Sequence, residues 1–389
     1  MGPHKDRAHA LLSASSAHRW LYCTPSAKLE EQFPDTTSDA AAEGTVAHEL
    51  AELKLRHYFY TADFGKRKFN TAANKLKKQE LWKDEMDGYT EEYLDYVKNT
   101  ALAFPNVPYV AVEKRVDFGA YVPEGFGTAD CILIGGDVLH VIDFKYGKGV
   151  PVSAEGNPQM ALYALGAYKA YSLLYPINTI RMTIVQPRID NISEWECQLQ
   201  ELLDWGNYAK DRARLAYEGK GDFAPGEKTC RFCRAKAQCR ARSDHNVRMA
   251  FGTELPPLIT HEEVGERLSA LEDVVSYQKD LQEYALAQCL AGKEIPGWKA
   301  VEGRSIRDWT NMEQAFTTLE ANGINEAMLW EKKPLTLAQV EKVVGKKDFT
   351  EYVGKYVTKK PGKPALVKES DKRPAITNKV SAAEAFKEE

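Results

Sequence analysis

The sequence predicts a mixed α/β protein with an added helical C-terminal region. Three short runs rich in β-branched and aromatic residues follow one another between positions 108 and 145, with turn residues between them. Segments rich in helix-forming residues, with apolar positions at helical spacing, lie on both sides of these runs. The predicted order is therefore a helix, a three-stranded antiparallel meander, a helix, a further strand and a helix.

The first half of the chain supplies the meander. The predicted segments there are helices at 39–57 and 77–103 and strands at 108–118, 128–134 and 138–145. The last two strands are separated by Gly136-Asp137, a two-residue loop that suits a hairpin turn with positive φ at its first position. Such a turn fixes the register, so that Asp130 faces Asp143 across the hairpin.

The chain then returns to helix. Asn157 is a favourable N-cap and Pro158 takes the first helical position, so a helix is predicted to begin there. Residues 179–188 form the next predicted strand, and residues 193–218 the next predicted helix.

Three regions are predicted along the chain. They are a core at 1–250, a helical accessory region at 251–358 and a Lys-, Pro- and Glu-rich tail without a fixed fold at 359–389. Within the accessory region, the predictions are one or two helices at 259–292, short strands at 298–309 and helices at 310–357.

The composition excludes several classes of protein. Of the 389 residues, 43% are hydrophobic and 28% charged, and no apolar run approaches the length of a membrane span, so we expect a cytosolic protein without membrane contact. The net charge of −4 excludes a polycationic coat but leaves room for a local nucleic-acid-binding patch. Seven cysteines, an odd count in an expected cytosolic chain, argue against a disulfide framework.

The hairpin carries charges on an apolar face. In the predicted register Asp130 and Asp143 oppose each other directly, and like charges there destabilise a sheet. A cation between them would remove this cost, and carboxylate oxygens suit Mg²⁺ or Mn²⁺. Lys145 lies on the same face and could orient a water or stabilise charge on a phosphate oxygen. The alternative is a solvated strand end, which is the usual setting of an isolated Asp-x-Lys.

Other polar residues lie near this hairpin in the predicted fold. His48 and Glu52 share one helix face at i, i+4, and Glu113 lies in the first strand. Gln159 and Tyr163 share a face at the start of the helix after the third strand. Taken singly, a histidine on a helix is more often structural than a metal ligand, and the Gln159–Tyr163 pair would be a packing or capping detail.

Together these segments resemble a known family. The motifs are Gly44-x-x-x-His48, GTAD ending at Asp130, DFK from Asp143 to Lys145, and Gln159-x-x-x-Tyr163. In this order they resemble the PD-(D/E)xK nuclease superfamily, and within it the RecB-like, Cas4-like branch of phage-type exonucleases. The resemblance covers roughly residues 10–245. The chain departs from the name-giving motif in Ala129 and in Asp143 in place of Glu, both of which the family tolerates.

The resemblance implies a restriction-endonuclease-like core and a role for each motif residue. It implies His48, Asp130 and Asp143 as ligands of Mg²⁺ or Mn²⁺, joined by the backbone carbonyl of Phe144. Lys145 would be the catalytic lysine. Gln159 and Tyr163 would position DNA or that lysine. Glu52 and Glu113 match no motif position, and we expect them to lie around the metal ligands without binding the metal directly.

Three cysteines cluster at Cys230, Cys233 and Cys239, and Cys23 is the best fourth ligand for a metal centre. Spacing alone leaves a 4Fe–4S cluster and a Zn²⁺ ion open. The family resemblance implies the 4Fe–4S cluster, with one cysteine before the core and three after it. Residues 228–248 carry seven Lys or Arg, which read either as a solvated loop or as a phosphate-tracking surface.

Three functions compete for this sequence. The first is a metal-dependent DNA exonuclease of phage or prophage recombination or replication, in the bacterial cytoplasm, acting on DNA ends or single strands beside a single-strand-binding or annealing protein. The second is a catalytically silent DNA-binding scaffold stabilised by a cysteine-ligated metal. The third is a zinc-stabilised interaction module, which accounts for the cysteines alone.

Overall fold

A computed structural model describes residues 10–34, 39–251, 260–301, 311–321, 329 and 336–357. The chain divides into two units, Met1–Val301 and Glu302–Glu389. The helices of the first unit are α1 Ala17–Trp20, α2 Ser26–Glu30, α3 Asp39–Phe59, α4 Lys66–Leu76, α5 Glu85–Leu102, α6 Pro158–Tyr171, α7 Leu199–Glu218, α8 Glu227–Cys230, α9 Arg240–Phe251 and α10 His261–Leu290. Its strands are β1 Tyr109–Asp117, β2 Phe126–Gly135, β3 Val138–Phe144, β4 Thr179–Gln186 and β5 Asn191–Gln198.

The second unit contains three described helices, α11 Met312–Ala321, α12 Leu337–Val344 and α13 Lys346–Val353. They agree with the helical prediction for this stretch. Among the described residues, no helix combines the length and apolar character needed to cross a bilayer. The predicted tail at 359–389 lies outside the described residues, as do positions 302–309 of the strands predicted at 298–309.

One mixed sheet organises the first unit, with the strand order β1-β2-β3-β4-β5. The first three strands form the predicted antiparallel meander, and β4 runs parallel to β3 after the crossover through α6. The turn between β2 and β3 has Gly136 at φ 60°, and Cys131 pairs with Ile142, so the predicted hairpin register is confirmed. Asn157 caps α6 by accepting from the backbone N–H groups of Gln159 and Met160, also as predicted.

The sequence predictions were wrong at two places. Residues 193–198, predicted as the start of a helix, belong to strand β5, which pairs antiparallel with β4. The helix α7 begins only at Leu199, where Gln198 and Glu201 form a capping box. The helix predicted over 77–103 begins at Glu85, and α4 lies before it, where none was predicted.

Each face of the sheet has its own apolar core. On one face, Ile132 and Val141 pack in a cluster with the apolar residues of α6, which is buried almost all round. On the other face, Leu133 and Ile142 pack with residues of α3 and α5. Successive side chains of β2 and β3 point alternately into the two cores. The open end of the β2–β3 hairpin therefore lies between α3 on one face of the sheet and α6 on the other.

The helices α9 and α10 are joined by buried charges. Arg242 is fully buried and donates to Asp280 at 2.5 Å and to Asp273 at 3.1 Å, and Asn246 also donates to Asp273. Breaking such a buried network by removing one partner is costly, so it fixes α10 on α9. Both helices belong to the first unit, Met1–Val301.

Candidate functional site

The site begins where the ladder between β2 and β3 stops. The last pair is Cys131 with Ile142, and beyond it the Phe144 N–H donates to Asp130 Oδ2 at 2.7 Å. In a continued antiparallel ladder that N–H would bond a backbone carbonyl of β2. The carboxylate of Asp130 thus replaces a backbone carbonyl as the acceptor for this N–H, and the hydrogen bond fixes the orientation of its oxygens.

The helix α3 brings His48 to this carboxylate. His48 Nδ1 lies 3.5 Å from Asp130 Oδ2, and the imidazole contacts the Phe144 ring at a centroid distance of 5.1 Å. Burial alone would lower the pKa of His48, but the attraction of the nearby Asp130 and Asp143 carboxylates outweighs it and raises the pKa above its usual value. For Asp130, burial acts upward, but His48 and its other partners bring the pKa below its usual value.

Strand β1 adds a third group, Glu113. The register of β1 with β2 places Glu113 opposite Asp130, and Glu113 has a φ of 48°, which is uncommon for a non-glycine residue. Ligand atoms of His48, Glu113 and Asp130 all lie within 4.8 Å of one another. Burial, with repulsion from Asp130, raises the pKa of Glu113 to about 8. Strained backbone of this kind often occurs at functional sites.

A second group lies beside the first and involves Lys145. Lys145 Nζ lies 3.0 Å from Asp143 Oδ2 and donates to Gln159 Oε1 at 3.0 Å. The Gln159 amide donates in turn to Asp143 Oδ1 at 3.3 Å and to the Tyr163 hydroxyl at 3.2 Å. Burial raises the pKa of Asp143, and Lys145 offsets part of that shift. The lysine is thus held by a buried carboxylate on one side and an oriented amide on the other.

The structure brings the predicted residues together with one rearrangement. The compact group of possible metal ligands contains Glu113, whereas Asp143 pairs with Lys145 and Gln159. The contact seen for Phe144 uses its N–H and not its carbonyl. Glu52 pairs with Arg56 at 2.9 Å and raises the pKa of Glu113 as a lesser cause after burial and Asp130.

The donor set fits a hard divalent cation. One imidazole nitrogen and two carboxylates converge, and all three side chains are half-buried, which leaves access from solvent. The raised pKa of Glu113 shows that its negative charge is disfavoured without a counterion. A divalent cation would reverse that effect, because it is the largest local charge in such a site.

A second centre is formed by the four predicted cysteines. Cys23, Cys230, Cys233 and Cys239 all line one cavity, together with Arg19, Lys236 and several smaller residues. The N-terminal segment is held there by protein contacts as well, since Glu30 accepts from both Arg19 and the Arg234 N–H. The N-terminal segment and the segment after α7 therefore meet at this cavity.

The sulfur positions can be compared with those that a metal centre requires. Among the described cysteines, no three Sγ atoms lie within 4.8 Å of one another. Four thiolates at about 2.3 Å from one tetrahedral zinc would lie about 3.8 Å apart. Some of the four sulfurs therefore lie further apart than the ligands of a single zinc ion. Burial raises the pKa of Cys23 and Cys230, which disfavours free thiolates unless a metal binds them.

The fold and this site define a mixed α/β protein with a histidine–carboxylate group beside a held lysine. The family model described as "Protein of unknown function (DUF2800)" matches residues 9–374, and the chain belongs to that family. Among solved structures, the one titled "Crystal structure of SSO0001" aligns at 16% identity and a TM-score of 0.24, over 50% of this chain and 85% of that chain. That similarity is too low to define a shared fold.

Proposed function

We propose that the protein is a divalent-metal-dependent DNA nuclease with the core arrangement of the PD-(D/E)xK superfamily. The observation that carries this proposal is the convergence of His48, Glu113 and Asp130 beside the Asp143–Lys145–Gln159 network. The element order supports it too, because the meander, its crossover helix α6 and the parallel strand β4 place the charged strand ends between two helical layers.

In this proposal His48, Asp130 and Glu113 hold Mg²⁺ or Mn²⁺, with Asp143 adjacent. When bound, the cation supplies Lewis acidity toward a phosphodiester and lowers the pKa of water. Lys145 provides a positive charge where negative charge develops on the phosphate, and Asp143 and Gln159 hold its ammonium in place. Tyr163 fixes the rotamer of Gln159 by accepting from its amide.

The cysteine centre is proposed as a 4Fe–4S cluster held by Cys23, Cys230, Cys233 and Cys239. The wide spacing of the sulfurs and the two cations at the cavity wall, Arg19 and Lys236, support a thiolate cluster of net negative charge over a single zinc ion. The cluster supplies a covalent closure between the N-terminal segment and the segment after α7.

The biological setting follows from the same proposal. We place the enzyme in the cytoplasm of a bacterial host, encoded by a phage or prophage. There it would digest DNA from its ends during recombination or replication. A single-strand-binding or annealing protein would then cover the strand that it exposes.

Metal removal tests the nuclease directly. Anaerobically purified protein is incubated with linear and with circular duplex DNA, in Mg²⁺, Mn²⁺ or excess chelator. We expect linear DNA to disappear only with metal and the circle to survive, which defines an exonuclease. Cleavage of the circle would make it an endonuclease. Binding of DNA without cleavage under any metal would favour the silent scaffold.

A glycine near the site gives a separate prediction. A Cβ built on Gly127 would lie 2.7 Å from Cε1 of the buried Tyr163 ring, so Gly127→Ala must displace that ring and with it Gln159. We expect the rate of DNA cleavage to fall at least about 10-fold, with folding retained, because a small misplacement at a site has a large effect.

Gly88→Ala is the matched control for this substitution. It adds the same methyl group to α5, where nothing lies within 4 Å of the new Cβ. Its cleavage rate should equal that of the wild type. An unchanged rate in Gly127→Ala would contradict the positioning role given to Tyr163.

A further inference from the structure

The helix α4 presents an unusually basic surface. Between positions 66 and 79 there are six cations and no acidic residue, and all six are exposed. We call this set the α4 basic face; it consists of Lys66, Arg67, Lys68, Lys75, Lys77 and Lys78. The sequence motifs and the proposed catalytic residues account for none of them.

These cations have no carboxylate partners. None of the six forms an ion pair with any residue that the structure describes, and only Lys68 donates a hydrogen bond, to the Asp63 carbonyl. Some exposed cations elsewhere are paired, as Lys98 is with Asp95 and Lys169 with Asp117. Three of the six occupy the first turn of α4, where the helix dipole disfavours positive charge. Their position therefore works against the stability of the helix.

The opposite side of α4 is firmly attached. Ala73 and Leu76 are buried in the core on the α3 side, and the Phe69 ring stacks on His57 of α3 at 4.9 Å. The basic face is thus a rigid surface on the protein.

This surface begins a short distance from the proposed metal ligands. His48, Glu52 and Arg56 follow one face of α3, and eight residues of helix from His48 to Arg56 span about 12 Å. Arg56 lies over the Phe64 ring at 5.4 Å, directly before α4. Phosphates on one strand of a duplex repeat about every 3.4 Å, so this stretch of α3 is as long as about four nucleotides.

We propose that the α4 basic face binds the phosphodiester backbone of DNA a few nucleotides away from the bond that is cut. This inference rests on the proposed nuclease function, and it makes the substrate class a polynucleotide strand rather than a short fragment. The other basic segment, at 228–248, is less suited, because Arg231, Lys236 and Arg242 there are paired with carboxylates.

The test measures DNA binding separately from cleavage. The variant is the triple substitution Arg67→Gln, Lys75→Gln, Lys78→Gln, which removes three charges from the α4 basic face. The side chains of these three residues make no hydrogen bonds with described residues, so folding should be retained. Fluorescence anisotropy with a labelled oligonucleotide, single-stranded and duplex, is recorded in chelator at several salt concentrations. We expect affinity to fall about 10- to 100-fold at low salt, and the slope of log K against log salt to decrease by about 2 to 3.

The control is Lys210→Gln, Arg214→Gln, Lys279→Gln, which removes the same charge from α7 and α10. It should bind as the wild type does. Equal binding by the α4 variant and the wild type, or no binding by the wild type, would overturn the inference. With Mn²⁺ added, the α4 variant should show a raised KM and an unchanged kcat. Binding through α4 without any cleavage would instead remove the proposed function and leave the DNA surface intact.

Discussion

Lys145→Ala should lower DNA cleavage by about 10²- to 10³-fold, because it removes the positive charge that faces the reacting phosphate. The ammonium is held between Asp143 Oδ2 and Gln159 Oε1, both at 3.0 Å. Single-turnover rates on linear DNA in Mn²⁺, with circular dichroism to verify folding, provide the measurement.

Two further variants separate catalysis from structure. Lys145→Arg keeps a charge against the buried Asp143 and so protects the fold, yet a planar guanidinium cannot reproduce the ammonium geometry, and its rate should also fall. Lys169→Ala removes a lysine from α6, where it pairs with Asp117 at 2.8 Å in an exposed position. It should cut DNA normally. Wild-type activity in both Lys145 variants would refute the catalytic assignment.

Cys23→Ala should remove the metal centre and strongly destabilise the protein. The proposed centre would join Cys23 to Cys239, 216 positions apart, and in the chain-entropy model a crosslink of that span stabilises by about 5 kcal/mol. We expect loss of the brown colour of an iron–sulfur protein and of its iron content, and a clearly lower midpoint of urea unfolding.

Cys197→Ala is the control for this variant. Cys197 is also buried, but it lies in β5 and takes no part in the cysteine cavity. It should keep the colour and the full metal content. A colourless wild-type protein with one bound zinc would show that the centre is a zinc site, and an unchanged metal content in Cys23→Ala would exclude Cys23 as a ligand.

Local rules predicted the hairpin and the start of α6. The two-residue turn at Gly136 sets the β2–β3 register by counting alone, and Asn157-Pro158 marks a helix start through its own hydrogen bonds and fixed φ. The four cysteines were likewise assigned to one place, because a metal centre needs four ligands.

Features set by distant contacts were missed. The residues of β5 form a strand because they pair with β4, and strand propensity depends on such context. The sequence does not place Glu113 among the metal ligands, because β1 and β2 are joined by an irregular connection. The pairing of their residues therefore cannot be worked out from the length of a turn. The α4 helix has few apolar residues, Phe69, Ala73 and Leu76 among them, and its sequence pattern is correspondingly weak.

The long sequence separation of the cysteines that line the cavity also affects the order of folding during synthesis on the ribosome. At about 5–20 residues per second, the 216 positions between Cys23 and Cys239 take roughly 10–40 s to translate. Every strand of the sheet is synthesised in that interval, during which Cys23 is a free thiol without the other three cysteines. The nascent chain can therefore form its sheet first and close its N-terminal segment last. Oxidation of Cys23 before Cys230, Cys233 and Cys239 emerge would leave a complete sheet without its closure.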